Sequence, residues 1–267
     1  MKKTVFLFSA LLVSLLPASA QVKYEKIAYK ESKLEDKEVT VSTKDVFSTK
    51  AFTKFQCRIA NKTDFIMIYK PEESTLNLPG GKEFTPKEKY LVVYPGETNY
   101  RVVNFSGPDF MIPQYSYKVE GIYKVSEIEK VIEAPEFALP PSINEFKAGP
   151  FSCTLMKFEK ETDKTTAKFE CRYNGDKVGV INSGRAGARL PNGTEAANSK
   201  IQGKSDIVLK GETQRFTLVW DRMEGGKEND MQKIKMMIFW RNTFIEATQV
   251  KLDPLTLEMK IDEALSK

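Results

Sequence analysis

After its first twenty residues the chain is written mostly in period two. Within 38–43, Val39 and Val41 fall on one side and Thr40 and Ser42 on the other; within 52–59, Phe55, Cys57 and Ile59 form an apolar series separated by polar residues. Successive side chains of a strand alternate between faces, so this pattern predicts half-buried strands. Comparable runs follow at 65–69, 91–94, 101–105 and 115–125, then at 151–158, 166–173, 178–181, 207–209, 215–220, 234–240 and 244–250. Turn-forming residues punctuate them, among them Asn61 to Asp64, Pro95-Gly96 and Arg241-Asn242-Thr243,. The pattern admits one short helix, within 256–265.

The strands come in two sets. Residues 38–58 align without a gap on 152–172, and the match is densest where Lys54-Phe55-Gln56-Cys57-Arg58 meets Lys168-Phe169-Glu170-Cys171-Arg172. Leu78-Pro79-Gly80-Gly81 faces Leu190-Pro191-Asn192-Gly193, and Gly96-Glu97-Thr98 faces Gly211-Glu212-Thr213. Three collinear matches about 112 to 115 residues apart predict an internal duplication,. Between the sets, 134–150 carries Pro135, Pro140, Pro141 and Pro150, which disfavour helix and ladder bonding and predict an extended, stiff linker,. The expected organisation is a first domain over 22–133, a linker over 134–150 and a second domain over 151–267.

About seven short strands in roughly 110 residues is the spacing of an immunoglobulin-like sandwich, with a small closed barrel as the alternative. The predicted fold class is therefore all-β: two tandem immunoglobulin-like β-sandwich domains related by internal duplication. The Gly-Glu-Thr turn with alternating strands around it resembles the broad class of bacterial exported tandem immunoglobulin-like proteins. That resemblance covers about a tenth of each copy and brings no functional residue with it.

The first residues assign an address. Lys2 and Lys3 precede a mostly apolar run from Val5 to Leu16, and Ala18-Ser19-Ala20 supplies small residues for cleavage before Gln21. This is the layout of a secretory signal peptide over 1–20, in a bacterial style, and the run is shorter than the ~20 residues of a membrane span. The mature chain is expected in the periplasm, at the cell surface or outside the cell, with no transmembrane segment after cleavage.

Composition then narrows the chemistry. The chain has no histidine, which excludes Ser-His, Cys-His and His-metal chemistry,. Its net charge of +5 falls to about +3 without Lys2 and Lys3, too little to predict nucleic-acid binding,. Acidic residues sit mainly in Lys-rich stretches such as 30–37 and 157–164, and no catalytic carboxylate pair stands out. No enzyme activity, cofactor or metal is expected.

Three cysteines remain. In the gapless alignment Cys57 matches Cys171, and Cys153 falls at Val39. If 151–158 and 166–173 form a hairpin turning near Thr162-Asp163, Cys153 lies almost opposite Cys171, close enough for a disulfide. Two small unreactive core residues are the other reading. Cys57 has no histidine to activate it.

Weaker candidates remain. The loop 182–189 is Gly-rich and basic, and Arg185 and Arg189 could hold an anion, although it occupies the place of a plain connector in the first set,. Residues 221–230, with Glu224, Glu228 and Asn229, offer oxygens for calcium but lack the closely alternating acidic spacing,. Trp220 and Trp240 fall in core-like series. Asn61-Lys62-Thr63 and Asn192-Gly193-Thr194 are formal glycosylation sequons expected in surface loops. The function expected is a non-catalytic envelope or surface protein that binds another envelope or surface protein or serves as a structural module. A periplasmic chaperone-like or secretion-accessory protein and a carbohydrate-binding accessory are the alternatives.

Overall fold

The computed structural model describes residues 24–108, 110–200, 203–222 and 230–267. The predicted leader over 1–20 lies outside the described residues. The protein is all-β, built from antiparallel sheets, and the described residues contain no α-helix.

The first half runs β1 (Ile27–Ala28), β2 (Lys33–Glu35), β3 (Val39–Ser48), β4 (Phe52–Asn61), β5 (Ile66–Tyr69), β6 (Thr75–Leu78), β7 (Lys82–Phe84), β8 (Leu91–Val93), β9 (Thr98–Ser106), β10 (Gln114–Val119) and β11 (Ile122–Val125). A middle segment holds β12 (Lys130–Ile132), β13 (Phe137–Leu139) and β14 (Glu145–Ala148). The second half runs β15 (Phe151–Lys160), β16 (Lys164–Tyr173), β17 (Val178–Ile181), β18 (Ala186–Arg189), β19 (Glu195–Ala197), β20 (Asp206–Val208), β21 (Thr213–Asp221), β22 (Met236–Trp240) and β23 (Phe244–Ala247), then β24 (Gln249–Lys251) and β25 (Leu255–Lys260). The short helix expected within 256–265 is strand β25 instead; Leu257 and Met259 alternate with exposed Glu258 and Lys260, which suits a sheet edge,.

Each half has two facing layers. In the first, β1-β3-β4-β9 forms one layer, with β2 also on β3. The other layer bends into two sheets, β25-β10-β6-β7 and β24-β11-β5-β8. The bend needs glycine: Gly121, between β10 and β11, has φ +73°, and a Cβ there would stand 2.5 Å from the Lys70 carbonyl oxygen,. Across the core, Phe55 and Phe105 of one layer meet Tyr117 of the other at ring distances of 5.0 and 6.0 Å. The second half orders its strands the same way, as β14-β15-β16-β21 against β13-β22-β18-β19 and β12-β23-β17-β20. Phe169 there meets both Phe137 and Trp240 at 5.4 Å.

The hairpin β3–β4 stays within one layer, as does β15–β16.

The outer strands come from unexpected places. β24 and β25, at the chain's end, pair with β11 and β10 of the first half. β12 and β13, which directly follow the first half in sequence, pair with β23 and β22 of the second. Each half thus lends its following two strands to the other. This corrects the linker expected over 134–150, since β13 and β14 both lie inside it. The prolines flank these strands: Pro135 and Pro140 bracket β13, and none occupies a ladder position,. It likewise corrects the second boundary, because 249–267 completes the first half.

The register corrects one alignment. Asn61 N donates to Glu97 O and Tyr173 N donates to Glu212 O, so with the Gly-Glu-Thr turns matched Asn61 takes the place of Tyr173. By that register the opposed pair Cys153–Cys171 stands where Val41–Ile59 stands, and Cys57 stands where Phe169 stands. The gapless match of Cys57 to Cys171 is two residues out of register. A slip of two keeps every side chain on its face, so alternation alone could not detect it.

The halves are not separate beads. Ile66, Ile68 and Val125 pack with Val178, Val180, Ile207, Ile245 and Ala247 in one apolar cluster between them. This is why β5 and β17 are buried at every position: one face lies on its own core, the other on the neighbouring half.

Candidate functional site

Cys153 and Cys171 are directly opposed in β15 and β16, and their sulfurs are bonded with a Cα separation of 4.0 Å. Cys57 is a buried free thiol, and burial pushes its pKa up to about 12, which keeps it protonated and unreactive,. It sits beside a buried hydroxyl group: Tyr69 and Tyr117 share a hydrogen bond of 2.6 Å between their phenol oxygens, with Ser74 Oγ 3.3 Å from Tyr69. Burial is the first cause of the raised pKa of both tyrosines. The cluster satisfies polar atoms inside the first-half core.

The structure separates the two arginines. Arg189 closes β18 and is engaged by Glu136 at 2.9 Å and Glu195 at 3.4 Å, with its guanidinium over Phe239. Arg185 ends the 3₁₀ turn Ser183–Arg185 and is exposed. Three residues lie between them, four steps of extended chain or about 13 Å, and Arg189 already has carboxylate partners,. Of the calcium-type segment, residues 223–229 lie outside the described residues. Among the described residues no cluster of three or more metal-ligating side chains occurs.

Trp220 and Trp240 are buried, and Trp240 Nε1 donates to Pro135 O at 2.9 Å, so neither offers a stacking surface. The sequons differ. Asn192 is exposed in a turn, whereas Asn61 is buried, its Nδ2 donating to Phe65 O and Val93 O. The surface-loop expectation therefore fails at Asn61, whose amide pins the ends of two strands.

Sequence reasoning missed a polar rim beside the apolar cluster. Tyr90 OH donates to Glu212 Oε2 at 2.7 Å, Tyr94 OH donates to Ser205 O at 2.6 Å, and Lys204 pairs with Glu97 at 2.6 Å. Burial, then nearby carboxylates, push the Tyr94 pKa up to about 12. Asp206 is raised too, by burial, and its Oδ2 has no hydrogen-bond partner. Glu97 and Glu212 were visible as members of matched turns. That each reaches across to the other half is a tertiary fact.

On the opposite side Thr248, between β23 and β24, is held by Glu129, which accepts from its amide and hydroxyl at 2.5 and 2.8 Å. Strands β11 and β24 are both fastened to the 3₁₀ turn Pro71–Glu73: Tyr123 OH of β11 donates to the Glu73 carboxylate, and Lys251 of β24 pairs with Glu73 at 2.9 Å. Partial burial pushes Glu73 up, but the hydrogen bonds from Lys251 and Tyr123 outweigh it and hold the carboxyl below its usual value.

The described surface depressions are shallow. One of about 450 Å³ is lined by Leu139, Pro140, Leu190, Pro191, Met236 and Met237, and another of about 550 Å³ by Glu170, Thr213, Gln214 and Arg215. In the second, Arg215 is paired with Glu170 at 2.5 Å. Ile128, Val131 and Val250 are exposed near the edge strands β12 and β24. No helix among the described residues is long and apolar enough to cross a membrane.

No family model matches the chain, and no curated protein matches it. Among solved structures, it is similar to a chain titled pT26-6p with a TM-score of 0.23 and 7% identity, over 90% of this chain and 66% of that one. The chain thus spans just under two thirds of that protein, and a superposition this loose assigns neither fold nor function.

Proposed function

We propose that this chain is a non-catalytic exported protein acting as a structural or protein-interaction module in a bacterial envelope or at the cell surface. The observation that carries the reading is the reciprocal loan of end strands, which with the apolar cluster fastens two sandwiches into one block. A large apolar contact between halves favours a fixed relative geometry over hinge motion. A rigid block with shallow depressions suits holding or spacing partners better than enclosing a small substrate,. The address comes from Lys2, Lys3, the apolar run and Ala18-Ser19-Ala20.

The two halves are read as copies of one unit. The shared strand order, the Leu-Pro turns ending in Gly81 and Gly193, and the Gly-Glu-Thr turns support this. The immunoglobulin-like reading of each half is supported by β15, β16 and β21 sharing one layer that faces β17, β18, β22 and β23 in the other, and by the matching order in the first half,. A chaperone-like reading ranks second: it wants a basic cleft between domains, and there Lys204 is paired with Glu97. A carbohydrate-binding role ranks third, since both tryptophans lie in the core.

The test has two parts. The mature chain is expected in the exported fraction with its N-terminus at Gln21; retention in the cytoplasm at full length overturns the address. Crosslinking in the intact envelope is then expected to capture a protein partner, and a chain that captures none there loses the interaction reading.

A further inference from the structure

The seat of β25 is built from one end of the chain and filled by the other. Its six residue pairs run from Gln114 opposite Lys260 to Val119 opposite Leu255, and Leu257 and Met259 drop fully buried into the first-half core. β25 is the outermost strand of its sheet, so seating it disturbs no other ladder. The tail beyond it fastens to the N-terminal segment: Asp262 N donates to Ala28 O, and Lys267 O accepts from Glu25 N and Lys26 N.

We propose that this seat also accepts the same strand from a second copy of the chain, so that two chains join by exchanging residues 255–267. The inference is independent of where the chain works. Three observations carry it. First, donor and seat are both present with a defined register, so a second copy's strand makes the same contacts. Second, β25 hangs on an exposed connection: Asp253 and Pro254 are exposed, Pro254 has no amide to donate, and one backbone bond, from Leu252 N to Ile122 O, holds the segment. With β24 kept on β11, the connection Leu252 to Pro254 can span up to about 10 Å,. Third, the seat is made long before its strand, so β10 stands with an open edge until residues 255–260 arrive, when another copy can fill it,.

Because both forms bury the same surface, their balance is set by closure. A tethered strand competes at an effective concentration on the order of 1 mM, so exchange is expected during concentrated folding and not in a dilute folded sample.

Gln114 and Lys260 are exposed and directly opposed, so cysteines there can be bridged. Full-length Gln114→Cys and Lys260→Cys variants, carrying tags of different mass, are unfolded together and refolded at about 10 µM and about 1 mM, then oxidised. A disulfide-linked pair of unlike chains is expected in the concentrated sample, at least tenfold above the dilute one. The double variant on one chain is the control and closes its bridge internally. If that control closes while the concentrated mixture stays monomeric, the proposal is overturned. A mixed pair equally abundant at both concentrations overturns it too, because strand exchange requires the dependence.

Discussion

Tyr117 and Leu257 face each other directly across β10 and β25, both fully buried, although one lies before the middle of the chain and the other near its end. The first sandwich is therefore unfinished until residues 255–260 are made. The second is finished by β12 and β13, with Phe137 directly opposite Ile238. Neither half owns its complete core, which predicts that they unfold together.

Leu257→Ala tests this coupling. Removing the buried side chain is expected to cost about 2–4 kcal/mol. Both tryptophans lie in the second half, so their fluorescence reports there while the substitution acts in the first. The fluorescence midpoint in urea is expected to fall together with the circular-dichroism midpoint. An unchanged fluorescence midpoint would show independent halves.

The Cys153–Cys171 bond closes a loop with a sequence separation of 18. By restricting the unfolded chain, a ring of this size contributes about 3 kcal/mol of loop-closure entropy. Cys153→Ala combined with Cys171→Ala is expected to lose about that much plus a small packing loss, read by urea unfolding. Treating the native protein with reductant should reproduce most of the loss, and the Ala variant should be insensitive to reductant.

Asp206 supplies a pH dependence with a definite sign. Burial raises its folded pKa above the ordinary 3.8, so the folded state holds the proton more tightly than the unfolded chain. Its contribution to stability is fully present below pH 3.8 and falls as pH rises through the raised folded value,. Asp206→Asn should remove this slope and stabilise the protein at neutral pH by no more than about 1 kcal/mol, given partial exposure. Subtracting the variant's stability-versus-pH curve from the parent's isolates the effect from other carboxylates. A parent that loses stability relative to the variant towards low pH would contradict it.

Gly121→Ala, at the buried bend between β10 and β11, should be among the more damaging glycine substitutions. The added Cβ would meet the Lys70 carbonyl oxygen at 2.5 Å and Glu73 Cβ at 2.9 Å, at a φ of +73°. A backbone oxygen cannot swing aside, so a cost of about 2–3 kcal/mol is expected from strain and overpacking. Gly96→Ala, with φ +70° but open space around it, should cost less. Thermal unfolding of the two side by side checks the comparison.

Much of the architecture was legible in the residues, and the reasons are local. Alternation placed Val39, Val41, Phe55, Cys57 and Ile59 inward because a strand has period two, and all five are buried. Glycine and proline marked the turns because few other residues take those backbone angles. The same alternation put Cys153 and Cys171 on inward series, from which a bond could be considered but not decided.

What remained hidden was which strand lies beside which. Period two is blind to a slip of two residues, so Cys57 was set against Cys171 when its place is that of Phe169. The prolines of 134–150 suggested a linker, although a proline beside a strand costs that strand no ladder bond. Strands β12, β13, β24 and β25 carry ordinary alternation, and nothing in it says that each pair serves the opposite half. Sequence by itself determined the strands and their faces, because those depend on neighbouring residues. Partner choice, the burial of β5 and β17 on both faces, and the joining of Tyr90 to Glu212 were decided by tertiary structure alone, because they depend on which surfaces meet when the apolar faces are withdrawn from water.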